Sequence, residues 1–200
     1  MASSEGQAAL GTRERIVGSS AELFQRQGYS GTGVKQIVEA ANAPFGSLYH
    51  FFPGGKQELG AETIRTSGRL YTQLFAGIAL QAPDVLTAVG EFFTGAAQTL
   101  QETDYVEGCS IATVALEVAS TNEVLREATA EVFSEWIEGA SSYLQTGGLS
   151  EERARALALS MLSLLEGAFV FCRSLRSVEP LLAAGESAVA LTRAALGEAS

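Results

Sequence analysis

The 200-residue chain is long enough to bury a substantial core, and 46% hydrophobic with 18% charged residues and only 4 Pro describe a folded globular protein, not a disordered one. Cys109 and Cys172 lie far apart without a CxxC partner, which argues against a disulfide scaffold, a zinc site or a redox centre and predicts two buried thiols. The net charge of −10 speaks against a polyanion partner until its distribution is read: residues 1–60 balance five basic groups (Arg13, Arg15, Arg26, Lys35, Lys56) against five acidic ones, so residues 61–200 carry the whole excess.

Met1 to Gly11 is polar and small, without the apolar segment of a signal peptide, and the apolar stretch Ala156 to Cys172 is interrupted by Ser160, Ser163 and Glu166. A cytoplasmic protein with no membrane partner is expected. Nearly every segment repeats with a period near 3.6, and no run alternates long enough for a sheet, which predicts an all-α fold. The first helix reads from Thr12 to Gln27 with Ile16, Ser20, Leu23 and Phe24 inward, ended by Gly28. Thr32 or Gly33 caps a short helix from Val34 to Ala41. Asn42 suits a left-handed turn, and Pro44 the first turn of a helix running to Phe52. Pro53-Gly54-Gly55 breaks the pattern, and a long helix opens at Lys56 and continues to Leu80. Further helices are expected at Pro83 to Gln101, Cys109 to Ser120, Asn122 to Gln145, Ser150 to Ser174 and Pro180 to Glu198, with Ser150 as a cap and Thr146-Gly147-Gly148 as a break.

Two short helices joined by a tight turn, Val34 to Phe52, have the dimensions of a helix-turn-helix, although many helical proteins contain a similar corner. The residue identities decide more. Ile16, Leu23-Phe24, Gly28-Tyr29, Thr32, Val34, Ile37, Ala40-Ala41, Gly46-Ser47-Leu48-Tyr49, Phe52 and Lys56 together resemble the DNA-binding domain of TetR-family repressors, across residues 12–60. The Pro53-Gly54-Gly55-Lys56 turn is similar to a subgroup that controls multidrug-efflux genes. The resemblance implies a DNA-binding domain in residues 1–60 and a helical ligand-binding and dimerisation domain in residues 61–200.

On this reading Gly46 and Ser47 let the recognition helix approach the floor of the major groove, and Ser47 hydrogen-bonds a base or a phosphate. The resemblance places phosphate contacts at Tyr49 and His50. Lys56, Thr32 and Lys35 are expected to add further phosphate contacts, with Pro44 at the helix start. Three positions depart from the family pattern: Pro44 replaces a common Ser, Phe51 a usual His, and Phe45 stands where a basic or polar residue is frequent. Phe45 either packs on a thymine methyl or faces a partner. With few cations, the salt dependence of DNA binding is expected to be shallow.

Glu123, Glu127, Glu131 and Glu135 recur every four residues and predict a solvated, mildly destabilising like-charge face. Phe75, Phe93, Phe133, Trp136 and Phe169 sit at helical spacing, which more often means plain core. The resemblance implies a cavity for an apolar or drug-like ligand, for which they are candidate lining, with Cys109 and Glu117 as orienting polar groups. Leu164, Gly167, Val170, Phe171, Leu181 and Leu182 are candidates for a homodimer interface of the last two helices, which the resemblance implies. His50 is the lone histidine, and neither a Gly-rich phosphate loop nor a metal-spaced cluster is present, so no catalytic residue, metal or cofactor is expected. A helical protein-interaction adaptor is the alternative, an enzyme a weaker one.

Overall fold

The structure, a computed structural model, describes residues 11–197. Among the described residues it is helical without a strand: α1 (Thr12–Gln27), α2 (Val34–Ala40), α3 (Phe45–Phe51), α4 (Gly55–Gln81), α5 (Val85–Glu102), α6 (Ser110–Val118), α7 (Glu123–Thr146), α8 (Glu151–Leu175) and α9 (Glu179–Gly197). Residues 1–10, where most of the polar N-terminal stretch lies, and Glu198, the expected final residue of α9, fall outside the described residues.

The helix ends follow local chemistry. Gly28 (φ 76°) closes α1, its N–H donating to the Phe24 carbonyl. Asn42 takes the left-handed conformation (φ 47°) between α2 and α3. Pro44 is the residue before α3 and not its first turn. Gly55 (φ 70°) opens α4, and the Glu58 carboxylate turns back to accept the Gly54 N–H at 2.7 Å, satisfying one of the orphan donors of a helix start. Asp84, one residue past the expected Pro83, caps α5 by accepting the Thr87 N–H at 2.7 Å, and that bond holds its carboxyl below the ordinary value. Asn122 caps α7 through Leu125, and Ser150 caps α8.

The chain packs as two units. The first comprises residues 11–68 with Ser110–Val132; the second comprises Arg69–Cys109 with residues 133–197. These units do not follow the chain boundary expected at residue 60, because α6 and the first half of α7 supply partners to the N-terminal segment. A Cβ at Gly68 would lie 2.6 Å from Val132, and one at Gly60 would lie 2.9 Å from Tyr29 and 3.0 Å from Leu125. Glycine at both positions is what lets α4 lie this close to its neighbours. The expected like-charge row on α7 is partly neutralised: Glu131 accepts from Arg65 at 2.6 Å, and Glu123 pairs with Arg126.

In the second unit α5, α8 and α9 enclose a core that includes Val89, Phe93, Leu100, Leu157, Met161, Leu165, Cys172 and Leu181. Gly185 of α9 sits against Phe93, where a Cβ would come within 2.8 Å of the Phe93 Cβ. By length and composition α8 is apolar enough to cross a membrane, contrary to the sequence expectation. Its Ala154, Leu157, Ala158, Met161, Leu165, Ala168 and Cys172 face this protein core, which accounts for part of its apolar character. After α5 the chain turns through two left-handed residues, Asp104 (φ 52°) and Tyr105 (φ 62°). Arg176, itself at φ 52°, pairs with the Asp104 carboxylate and lies over the Tyr105 ring.

Candidate nucleic-acid interface

Helices α1, α2 and α3 pack around Ile16, Val17, Ile37, Val38, Ala41, Leu48 and Phe52, joined by Leu59 of α4. Leu48 and Phe52 are four residues apart and fully buried, so they set the rotation of α3 about its axis. The opposite face then belongs to Phe45 and Tyr49, which are 54% and 49% exposed, with Gly46 and His50 beside them. The turn before α3 is clipped from α1: the Arg15 guanidinium donates from Nε to the Ala41 carbonyl at 3.0 Å and from Nη2 to that of Asn42 at 3.4 Å.

Four of the expected DNA contacts therefore share one surface. The Phe45 and Tyr49 rings pack at 6.0 Å, and His50 stacks edge-on against Phe51 at 4.9 Å. Nothing approaches within 4 Å of the place a Gly46 Cβ would occupy, so the backbone there is bare. Pro44 is exposed and Ser47 half-buried at the start of the same helix. Lys35 is exposed on α2 and makes a loose ion pair with Glu39 at 3.7 Å.

Thr32 and Lys56 differ from expectation. Thr32 is buried, and its hydroxyl donates to the Gly28 carbonyl at 2.6 Å, so it stabilises the loop after α1 and presents no hydroxyl to a phosphate. The Lys56 ammonium donates to the Tyr29 carbonyl at 2.6 Å and sits 4.1 Å from the centroid of the Tyr29 ring. Burial pulls its pKa below the ordinary lysine value, and the charge of Glu117 acts in the opposite direction. Lys56 is thus a tie between α4 and the loop, with donors left over for solvent or phosphate.

Glu117, expected to line a ligand cavity, instead belongs to the first unit, where its carboxylate accepts the Ser30 N–H at 2.8 Å. The expected aromatics lie in the second unit and form edge-to-face groups. Phe75 meets Phe92 at 5.3 Å and Tyr143 at 5.6 Å, while Trp136 meets Tyr71 at 5.8 Å and Phe133 at 5.7 Å. Phe93 is fully buried against Gly185, and Phe169 packs partly buried against the core.

Glu166, in the sequence an interruption of an apolar stretch, is a polar group set among the apolar residues of the second unit. One oxygen, Oε1, is buried without a hydrogen-bond partner, and the Cys109 thiol donates to the carboxyl. Burial pushes Glu166 up to about 7. A single acid within the apolar stretch Ala156 to Cys172 is the available signal.

Of the expected dimer residues, Val170, Phe171 and Leu182 are exposed, as is Gly167, and Leu164 is half-buried; Leu181 is buried in the core and has no surface to offer. Leu159 and Leu175 extend the exposed stripe on α8. The hydroxyls of Ser163 and Ser174 along it fold back onto the carbonyls of Leu159 and Val170, so the stripe makes little demand for external hydrogen bonds.

Comparison with known proteins agrees with this architecture. The family of bacterial regulatory proteins, tetR family, matches residues 16–63, and the C-terminal domain of the LmrA/YxaF-like transcriptional regulators matches residues 85–187. The chain is 34% identical over 182 residues to the uncharacterized HTH-type transcriptional regulator YxaF of Bacillus subtilis, covering 91% of this chain and 95% of that one. It aligns with regulatory protein TetR from Rhodobacter sphaeroides at a TM-score of 0.80 and 22% identity, over 89% of this chain and 97% of that one. It also aligns with a cysteine mutant of the TetR-family regulator CifR, solved with double-strand operator DNA, at a TM-score of 0.75 and 21% identity, over 90% and 96% of the two chains. With an N-terminal helix-turn-helix and a C-terminal domain of the LmrA/YxaF-like kind, the chain belongs to the TetR family of transcriptional regulators.

Proposed function

We propose that the protein is a homodimeric repressor whose residues 12–60 hold a palindromic operator and release it when a small apolar molecule binds within residues 61–200. The observation that carries this reading is the outward face of α3: a small-residue start, Gly46-Ser47, flanked by exposed Phe45, Tyr49 and His50 on a helix rigidly seated by Leu48 and Phe52. Such a face matches a recognition helix, whose first turn reads base edges while the next turn meets sugar and phosphate. Tyr49, His50, Lys35 and the remaining donors of Lys56 are assigned to phosphates; Pro44, Phe45, Gly46 and Ser47 are assigned to the groove. CifR, of the same fold, is seen with operator DNA.

The exposed stripe of Leu159, Gly167, Val170 and Phe171 on α8, with Leu182 on α9, supports a two-fold interface. Two recognition helices held about one helical turn of DNA apart are what a palindrome requires. For the effector, the edge-to-face aromatics about Phe75 and Trp136 supply apolar walls and Glu166 a polar group. Helix α4 is continuous from Gly55 to Gln81, and both packing units draw residues from it, so a tilt of that helix is the proposed route from ligand to DNA. The ligand can release DNA only by as much as it prefers the released conformation. The Pro53 to Lys56 turn favours an efflux gene as the regulated target.

A gel shift of purified protein on the DNA flanking its own gene tests this. A specific, competitor-resistant band is expected, and failure to retard any flanking fragment would reject the repressor reading in favour of a protein-binding adaptor.

A further inference from the structure

The first residue of α3 places an aromatic ring at the leading edge of the helix. Phe45 is the first residue of the helix and is more than half exposed. Its position is not adjustable by rolling the helix, since Leu48 and Phe52 anchor the opposite face in the core. The Tyr49 ring, one turn on and 6.0 Å away, backs it from one side, and Gly46 adds no side chain on the other. Ser47 is half-buried. At the front of the helix, the largest group available to a groove floor is therefore the Phe45 ring.

A phenyl ring neither donates nor accepts a hydrogen bond. Over the edge of guanine, adenine or cytosine it would cover polar atoms without pairing them, which costs free energy. Thymine alone among the four bases presents a methyl group in the major groove. We propose that Phe45 selects a thymine in each half-site of the operator by packing on its 5-methyl group, with Tyr49 holding the ring in place. This rests on the assignment of residues 12–60 as the DNA-binding head.

A duplex selected from a random-sequence pool by the full-length protein is resynthesised with deoxyuridine at each thymine in turn, a change that removes one methyl and nothing else. The wild type loses about three- to tenfold in affinity at one symmetry-related position per half-site. Phe45→Ala binds the thymine and deoxyuridine duplexes equally, and Phe45→Leu, which keeps an apolar contact and serves the same test if the alanine variant is unstable, retains part of the difference. Equal wild-type affinity for all duplexes, or a methyl effect undiminished in Phe45→Ala, overturns the thymine assignment and leaves the DNA-binding reading standing. If the wild type selects no duplex, both fall.

Discussion

The Glu117 carboxylate accepts the backbone N–H of Ser30 at 2.8 Å, joining α6 to the loop that leads into the helix-turn-helix. The same carboxylate occupies the space beside Gly28, where a Cβ would overlap Oε1, and Gly28 is itself held at φ 76°. Glu117→Ala is expected to lower the unfolding free energy by about 1 kcal/mol, since the bond is charge-assisted yet solvent-exposed. Gly28→Ala should cost more, through its backbone as well as its side chain. Urea unfolding of the two single variants and the double variant checks this; strictly additive losses would show that the two positions do not share the site.

Gly68 meets a β-branched neighbour, Val132, with no room for a methyl group. Gly68→Ala is predicted to destabilise by about 1–3 kcal/mol, the usual cost of overpacking. In a Val132→Ala background the same substitution should cost markedly less, because the obstructing methyls are gone. An equal loss in both backgrounds, measured by thermal unfolding, would place the strain elsewhere.

His50 is exposed and stacks edge-on against Phe51, so His50→Ala should leave helicity and melting temperature unchanged while weakening operator binding. Lys56→Ala should do both kinds of damage, because Lys56 also ties α4 to Tyr29. Circular dichroism and gel shifts on the same preparations separate the two. Band shifts unaffected by either substitution would remove His50 and Lys56 from the interface.

The pH dependence of stability has a definite sign at Glu166. Its folded pKa, about 7, lies above the ordinary 4.5, so its protonated form is the one the fold favours. The stabilisation is fully present below the unfolded value and is lost as pH rises through the folded one. Glu166→Gln should flatten this slope, changing the stability difference from wild type by roughly 2–3 kcal/mol between about pH 5 and about pH 8. Parallel denaturation curves for the two proteins across that range would contradict the burial argument.

Phe171 and Val170 are exposed on α8 and take no part in the folded core, so Phe171→Asp is predicted to yield a folded monomer. Light scattering at micromolar concentration should find the wild type dimeric and the variant monomeric, with operator affinity lost in the variant. A monomeric wild type would sink the interface.

The helices and their stops were legible in the sequence because apolar spacing, glycine, asparagine and capping side chains act locally. Gly28, Asn42 and Ser150 ended or began helices as their chemistry dictates. What escaped was set at a distance. Thr32 resembled a surface cap but is buried against Gly28, and Lys56 is drawn back to Tyr29. Glu117 gave no local sign that its partner is a backbone N–H 87 residues away. Leu181 and Leu182 are adjacent and chemically identical, yet one is core and the other surface, a distinction made only by which face of α9 meets α5 and α8. Glu166 was visible as an oddity, but its burial depended on the same packing.

The clip from Arg15 to the carbonyls of Ala41 and Asn42 carries an evolutionary consequence. The turn between α2 and α3 is held in part by a residue of α1, outside the two helices of the motif and on none of the surfaces assigned to DNA. A change at Arg15 would release the carbonyls of Ala41 and Asn42 and loosen the turn that leads into α3, acting on Phe45, Tyr49 and His50 together without altering any of them. Operator preference in such a regulator can thus drift through positions that a catalogue of DNA contacts would pass over, and relatives with identical α3 sequences need not share an operator.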